Sequence, residues 1–296
     1  MEKAFIEQVR SFNRAVTLGT GALNDSYLGR GRPLGQARLL FEIGHDGSDI
    51  GSLRERLGLD SGYASRLLKS LEADGLVAIE SDSEDRRRRL VTLTAKGVSE
   101  RAAYDALSDD LARSLLDGLS TGQRGRLVAA MAEVERLMNA ASIAIAAEPE
   151  DSRDARLCVA AYYKELDERF EGGFDPGNGG YAGKPAEAAG VFLIARLHGR
   201  AVGCGALKPL DASTAEIKRM WVAPDTRGLG VARRLLAALE DEARRMGMER
   251  IILDTNRSLL EAQAMYRKAG YRDTGRYNDN PYADFFFEKE LGALAG

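Results

Sequence analysis

Between Glu216 and Leu236 the hydrophobic period of the chain switches within a few residues, and this switch constrains the fold more than any other stretch. Ile217 to Val222 reads as a strand and Pro224 ends it. Gly228 and Gly230 make a turn, and from Val231 the apolar residues recur at helical spacing as Val231, Leu235, Leu236, Leu239, Ala243 and Met246. A strand, glycine turn and helix in this order present the unpaired N–H groups of a first helical turn along the positive end of its dipole, and glycines let an anion come close to the backbone. The segment is built to hold phosphates. It lacks the Gly-Lys-Ser/Thr of a P-loop, and it has two glycines where a dinucleotide fingerprint needs three.

The pattern that does match is Arg/Gln-x-x-Gly-x-Gly/Ala, written here Arg227-Gly228-Leu229-Gly230-Val231-Ala232. The strand Met220-Trp221-Val222-Ala223-Pro224 precedes it, an amphipathic helix follows, and Ala264-Met265-Tyr266-Arg267-Lys268-Ala269-Gly270-Tyr271 lies downstream. In this context the segment resembles the acyl-CoA pyrophosphate loop of the GNAT acetyltransferases.

A chain of 296 residues, 44% of them hydrophobic, can fill two cores. Charge is balanced in both halves, with 20 basic and 21 acidic residues through Ala140 and 22 and 24 beyond it, so any nucleic-acid contact must come from local clustering. Cys158 and Cys204 are the only cysteines, which argues against a disulfide framework; with two histidines and no ligand spacing, no metal site is expected. The N-terminus lacks a signal-type apolar core and no apolar run approaches the ~20 residues of a bilayer span, so a soluble cytoplasmic protein with no membrane partner is expected.

In the first half, Phe5, Ile6, Val9, Phe12 and Val16 share a helical face, a glycine-rich break surrounds Gly29 to Gly35, and a helix runs from Gln36 to Ile43. Helices Ile50 to Leu57 and Tyr63 to Asp74 flank a tight turn in which Asp60 or Ser61 can cap the second helix, which makes a helix-turn-helix. The second helix turns Leu67, Leu68 and Leu71 inward and leaves Ser65, Arg66 and Lys69 on a polar side that can reach a DNA groove. Leu76 to Glu80 and Leu90 to Leu93 read as short strands joined by a tip carrying Asp85 and the run Arg86 to Arg89. Four arginines are ordinarily a solvated hairpin edge; beside a helix-turn-helix they suggest a wing laid along the backbone or in the minor groove.

Glu72-Ala-Asp-Gly-Leu-Val77, then Asp85-Arg86-Arg87, then Val91-Thr-Leu-Thr-Ala-Lys-Gly97 resemble, in order and spacing, the winged-helix core of MarR-type transcription regulators, over roughly Phe5 to Asn139. The resemblance implies a wing contact by Asp85 and Arg87 and a dimer built by the terminal helices. Helices 102–119, with Leu107, Leu111, Leu115 and Leu116, and 122–140, with Leu127, Met131, Val134, Leu137 and Met138, offer more apolar face than one small module can cover, so a homodimer is expected. Its two recognition helices would read a roughly palindromic operator.

The boundary is placed at 140/141, with Ser142 to Ala147 taken as a strand; a helix continuing to Ala147 is the alternative. Helix Arg153 to Phe170, an irregular loop from Gly172 to Pro185, and a hairpin of Val191 to Arg196 with Ala201 to Lys208 across His198-Gly199 follow. Beyond the phosphate helix come strand Arg250 to Asp254, helix Leu259 to Ala269, and strands near Tyr271 to Tyr277 and Asp284 to Glu290. This order resembles the GNAT fold across Ala141 to Leu291. The expected class is therefore α+β in two domains, an all-α winged helix with a small β-wing over 1–140 and a mixed α/β GNAT domain with a mostly antiparallel sheet over 141–296.

The resemblance implies acetyl-CoA as co-substrate. Arg227 and the amides of Gly228, Leu229, Gly230, Val231 and Ala232 would hold its pyrophosphate, while main-chain groups of Met220 and Val222 pair with the pantetheine arm. Tyr266 falls at the thiolate's proton donor, and a phenol of ordinary pKa about 10 can protonate a thiolate at neutral pH. Asn256 falls at a position that bonds pantetheine or water, and Glu216 at a base that acts through water. Strict alternation puts Glu216, Lys218, Met220 and Val222 on one face and Ile217, Arg219 and Trp221 on the other, unless a bulge intervenes. The acceptor is expected to be a small amine bounded by Tyr163, Glu165, Arg169 and Asn280, where Arg169 and Arg219 suit a carboxylate such as an amino acid's and Glu165 suits a second ammonium. The expected whole is a regulator fused to an N-acetyltransferase. The rivals are a transferase fold that only senses acetyl-CoA, and a winged helix that serves only dimerisation.

Overall fold

The computed structural model describes residues 2–81, 89–177 and 190–292; Asp85 and Arg87 lie outside the described residues. Two compact units meet along the chain at Glu133/Val134, seven residues before the 140/141 boundary read from sequence.

The first unit runs α1 (Glu2–Gly19), α2 (Leu34–Ile43), β1 (Ser48–Asp49), α3 (Ile50–Leu57), α4 (Ser61–Ala73), β2 (Val77–Ser81), β3 (Arg89–Leu93), α5 (Ala95–Asp117) and the first part of α6 (Thr121–Ala141). The tight turn between α3 and α4 follows from its caps. Gly58 ends α3 in the left-handed region at φ 62, and Asp60 accepts the Tyr63 amide at 2.8 Å to start α4. Leu67, Leu68 and Leu71 of α4 are buried with Leu39, Leu40, Ile43 and Leu53. Strands β1, β3 and β2 form an antiparallel sheet in that order; β1 is too short to announce itself in the sequence.

The turn from α4 into β2 explains why the motif residues stand where they do. Thr94 Oγ1 donates to Gly75 O at 2.7 Å, Lys96 Nζ donates to Asp74 O at 2.7 Å, and a Cβ at Gly97 would lie 1.9 Å from Leu76 O. Only glycine lets α5 pack this closely on the carbonyl. Because Thr94 also accepts the Gly97 amide, α5 starts at Ala95 rather than at Ala102. No described residue of α1 is buried, and Phe5, Ile6 and Val9 are more than half exposed.

The second unit continues from the last turns of α6 through β4 (Ile143–Ala147), α7 (Arg153–Arg169), β5 (Val191–Leu197), β6 (Arg200–Pro209), β7 (Thr214–Val222), α8 (Val231–Arg245), β8 (Arg250–Thr255), α9 (Leu260–Lys268), β9 (Arg272–Asp273) and β10 (Phe285–Glu290). The sheet order is β4-β5-β6-β7-β8-β10-β9, antiparallel except for β7 with β8. The segment after α6 pairs with β5 from Ile143↔Leu197 to Ala147↔Leu193, so it is strand and not continued helix. His198 and Gly199, at φ 49 and 78, make the tight turn of the β5–β6 hairpin.

Helix α8 buries Val231, Leu235, Leu236, Leu239 and Ala243 against Leu193, Ala195, Leu207, Ala215 and Ile217 on one face of the sheet. Ala155 and Cys158 of α7 cover the alternate residues Phe192, Ile194 and Cys204 on the other. Two features shape the site between these layers. First, β7 and β8 pair only from Thr214↔Arg250 to Glu216↔Ile252, although β7 continues to Val222 and β8 to Thr255. Second, the β6–β7 register slips between Cys204↔Trp221 and Ala206↔Lys218, and Arg219 stands there at φ 55. This bulge corrects the strict alternation. Ile217 and Met220 now both pack toward the α8 layer, while Trp221 touches the α7 layer as well as the α8 core.

Candidate active site

Where β7 and β8 part, two cavities open and meet. The larger, about 1370 Å³ of empty volume including its open mouth, is walled by Met220, Trp221 and Val222 of β7, by the loop Thr226, Arg227, Gly228 and Gly230, by Val231, Ala232 and Arg233 of α8, and by Glu165 and Tyr266. Gly228 and Gly230 hold φ 84 and 77, a region L side chains rarely enter, and their missing Cβ atoms leave open space on the cavity side. Gly230 is the N-cap of α8 and brings no side chain to it. Among the described residues, no protein acceptor takes the amides of Gly228, Gly230, Val231, Ala232 or Arg233. A helix start with open donors, left-handed glycines and Arg227 and Arg233 alongside is a fit for a diphosphate.

Leu229 is the exception among the expected loop residues. It is not a wall of the cavity, its side chain packs on the core, and its amide points to Thr226 O at 3.4 Å. Arg233, which sequence reasoning did not name, is a wall; its place in the first turn of the helix was the available signal.

Arg227 is held by a partner from α7. Both Glu165 oxygens accept from its Nη2 at 2.6 Å, while Glu165 also accepts from Trp221 Nε1 at 2.9 Å and Arg169 Nη1 at 3.1 Å. Burial by itself would raise the Glu165 carboxyl, but the hydrogen bonds from Arg227 and Arg169 outweigh it and hold the group below its ordinary value. Glu165, expected at the acceptor, therefore belongs to the wall beside the phosphate loop. Arg169 is committed too, to Glu165, to Glu261 at 2.9 Å and to Ser258 O at 2.8 Å.

The smaller cavity, about 540 Å³ of empty volume with its mouth, lies on the far side of Tyr266, which lines both and is buried. Its walls include Lys218, Arg219, Met220, Asp254, Asn256 and Asn280, and an aromatic group from α7 and its flanks. Glu216 is buried directly behind Lys218 and is not itself a wall. It accepts from Tyr277 Oη at 2.9 Å and Asn278 Nδ2 at 3.3 Å and pairs with Lys218 Nζ at 2.8 Å. Asp254, missed in the sequence, does face the cavity. It stands 3.4 Å from Lys218 Nζ, and accepts from Asn278 Nδ2 at 2.6 Å and Asn280 Nδ2 at 3.2 Å. The stretch expected to extend strand β9 to Tyr277 instead leaves the sheet after Asp273, because Tyr277, Asn278 and Asn280 are turned to these two carboxylates.

Asn256 uses both ends of its amide within the protein, donating to Tyr282 O at 2.7 Å and accepting the Ser258 amide at 2.9 Å, so it ties the walls together. Tyr163 stands behind the cavity, its ring 5.4 Å from that of Phe174 and its phenol raised by burial; Tyr162 is the wall instead. Arg219 is ion-paired with Glu150, and burial holds its guanidinium below the ordinary value.

In the first unit, Ser65, Arg66 and Lys69 are all exposed along α4, opposite its buried leucines, and the Arg66 guanidinium lies 5.8 Å from the centre of the Tyr63 ring. Among the described residues no helix is long and apolar enough to cross a membrane, and no three His, Cys, Asp or Glu side chains are grouped to hold a metal ion.

Comparison with known proteins finds the acetyltransferase (GNAT) family model over residues 159–271 and the MarR family model over residues 30–88. An IAA acetyltransferase of Azospirillum brasilense is 41% identical over 105 residues, which are 34% of this chain and 67% of that protein. An uncharacterized N-acetyltransferase of Schizosaccharomyces pombe is 31% identical over 151 residues, 49% of this chain and 92% of that protein. At the other end, the HTH-type transcriptional regulator SarZ of Staphylococcus haemolyticus is 40% identical over 63 residues, 21% of this chain and 43% of the regulator.

Proposed function

We propose a function from one premise: this chain belongs to the GNAT acetyltransferase family, and it carries a MarR-family domain ahead of its transferase domain. In our reading it moves the acetyl group of acetyl-CoA to a small amine and binds operator DNA as a homodimer. The observation that carries the catalytic half is the junction of the two cavities at Tyr266, one lined by open helix amides and the other by Asp254 with Glu216 buried behind it.

The residues divide the work as follows. The amides of Gly228 and Gly230 to Arg233, with Arg227, bind the diphosphate. Beyond Glu216, where β7 has no partner in β8, the main chain at Met220 and Val222 lies along the pantetheine arm, with Arg227 Nε donating to Val222 O at 3.3 Å. When bound, acetyl-CoA supplies an activated acyl thioester. Asp254, backed by Glu216 and fixed by Asn278 and Asn280, takes the proton that the attacking amine must lose. Tyr266 gives a proton to the departing sulfur, and its burial at the junction keeps water out of the step.

The regulatory half is supported by the exposed Ser65, Arg66 and Lys69 on a capped α4, and by α1, whose apolar face finds no cover within its own unit and would pair with a second copy. Purified protein with acetyl-CoA and a panel of amines should release free thiol. The Tyr266→Phe variant should bind acetyl-CoA within about twofold of wild type and turn over roughly 100-fold more slowly. Equal turnover would remove Tyr266 from the chemistry. Acetyl-CoA binding without thiol release from any amine would leave a sensor in place of an enzyme.

A further inference from the structure

We propose, resting on the acetyltransferase reading above, that the acceptor is an amine carried on an aromatic or similarly apolar body with no carboxylate beside it, an aralkylamine rather than an amino acid. The charge around the acceptor cavity argues first. Its walls hold Asp254, Lys218 and Arg219 as the charged residues among those described. Each cation is already matched: Lys218 sits between Glu216 at 2.8 Å and Asp254 at 3.4 Å, and Arg219 is paired with Glu150. Among the described residues, the buried Glu216 and Asp254 thus share one cation, Lys218, while Arg219 is answered by the half-exposed Glu150. Arg169, the other cation expected to read a carboxylate, is spent on Glu165 and Glu261. An ammonium entering this cavity is attracted. A carboxylate would have to break an existing pair, in a site where the side chains of Glu216 and Asp254 are only 7% and 5% exposed.

The opposite wall argues for the body of the molecule. Phe170, Phe174 and Tyr282 form a ring cluster, with centroids 4.9 Å apart for Phe174 and Tyr282, 5.7 Å for Phe170 and Tyr282, and 5.8 Å, edge to face, for Phe170 and Phe174. Tyr162, Leu166 and Leu259 continue this wall toward Tyr266. Since the reacting nitrogen must stand where the cavities join, beside Met220 and Tyr266 and within reach of Asp254, the rest of the acceptor lies along the rings. Aromatic or aliphatic surface is what such a wall desolvates at gain. Asp175 N donates to Tyr282 Oη at 2.9 Å, so the hydroxyl of that ring is occupied on the protein side.

The test uses the full chain with saturating acetyl-CoA and follows thiol release with 2-phenylethylamine, ethylamine, L-phenylalanine and L-lysine. We expect kcat/KM for 2-phenylethylamine to exceed that for ethylamine and for L-phenylalanine by about tenfold or more each, the scale on which a pocket separates ligands differing by an apolar group or a misplaced polar one. Phe174→Ala should shrink the ratio of 2-phenylethylamine to ethylamine by about tenfold. Phe170→Leu serves the same purpose if the first variant loses its thermal transition. L-Phenylalanine or L-lysine used as well as 2-phenylethylamine, or a ratio that neither ring variant moves, overturns the proposal while the transferase reading stands. Absence of calorimetric acetyl-CoA binding by wild-type protein would instead overturn the transferase reading itself.

Discussion

Replacing Gly228 or Gly230 by alanine separates what the phosphate loop does for folding from what it does for binding. At both positions the backbone is left-handed, φ 84 and 77, yet a Cβ would meet nothing within 4 Å at Gly228 and only the far end of Arg233, at 4.0 Å, at Gly230. The unliganded protein therefore bears backbone strain alone, about 1–2 kcal/mol for an L residue in that region. The lower entropy of the unfolded alanine chain offsets about 0.4–1 kcal/mol of this. A net loss of about 1 kcal/mol lowers the melting temperature of a unit of this size by roughly 2–4 °C. Binding should suffer more, because the methyl group enters the space where an anion would rest against the amides. Losing one hydrogen bond to a charged oxygen costs about 1.5–3 kcal/mol, which is about 10- to 100-fold in Kd. Calorimetry with coenzyme A and with pantetheine, which has the arm and lacks the diphosphate, tells the two effects apart. Coenzyme A should weaken by at least about tenfold and pantetheine by less than about twofold. If coenzyme A binds either variant as tightly as wild type, or if both ligands weaken together, the anion does not sit on this turn.

Two further outcomes follow from the charges. Because the folded-state pKa of Glu165 is lowered by Arg227 and Arg169, its stabilising contribution is full above the ordinary carboxylate value and fades as pH falls through the lowered one. Glu165→Gln should then melt below wild type at pH 7, with the gap closing below about pH 4. The single tryptophan, Trp221, donates to that carboxylate, and its fluorescence should titrate over the same acid range in wild type and not in the variant. For the first unit, Arg66→Ala with Lys69→Ala should weaken binding to DNA upstream of the protein's own reading frame and make the salt dependence shallower by about 2 in log–log slope. An unchanged slope would mean that α4 faces no phosphate.

Much of the fold was legible because its signals are local. Helix α8 announces itself by six apolar residues at helical spacing, of which the five from Val231 to Ala243 are buried and Met246 is the half-buried C-cap, and the α3–α4 turn by Asp60, whose side chain closes the cap. The winged-helix spacing was readable as a pattern, but its cause was not. That Gly97 must be glycine depends on a carbonyl 21 residues earlier, and nothing in a linear reading places Leu76 O against α5. The same holds for β1, two residues long, whose existence is decided by the strand beside it and not by its own composition, and for the early end of β9, expected near Tyr271 to Tyr277 and stopping at Asp273.

In the site, the residues that escaped were those whose role is set by one extra residue in a strand. By strict alternation Trp221 and Ile217 share a face and Met220 lies with Glu216, which would point the indole away from α7. The bulge at Arg219 shifts the phase by one, and three contacts follow from that shift. Trp221 Nε1 reaches Glu165, Glu165 is then placed to hold Arg227 at the lip of the phosphate loop, and the carbonyl of Arg219 itself accepts the Cys204 thiol at 3.3 Å instead of a β8 amide. With its bulge turned aside, β7 cannot continue its ladder with β8, and pairing stops at Glu216. The gap that results is what gives Asp254 its exposure to the acceptor cavity and Met220 its place at the junction. A single left-handed residue thus accounts for why the carboxylate at the wall is on β8, where sequence reasoning looked for none, and why Glu216 on β7 ends up one layer behind it.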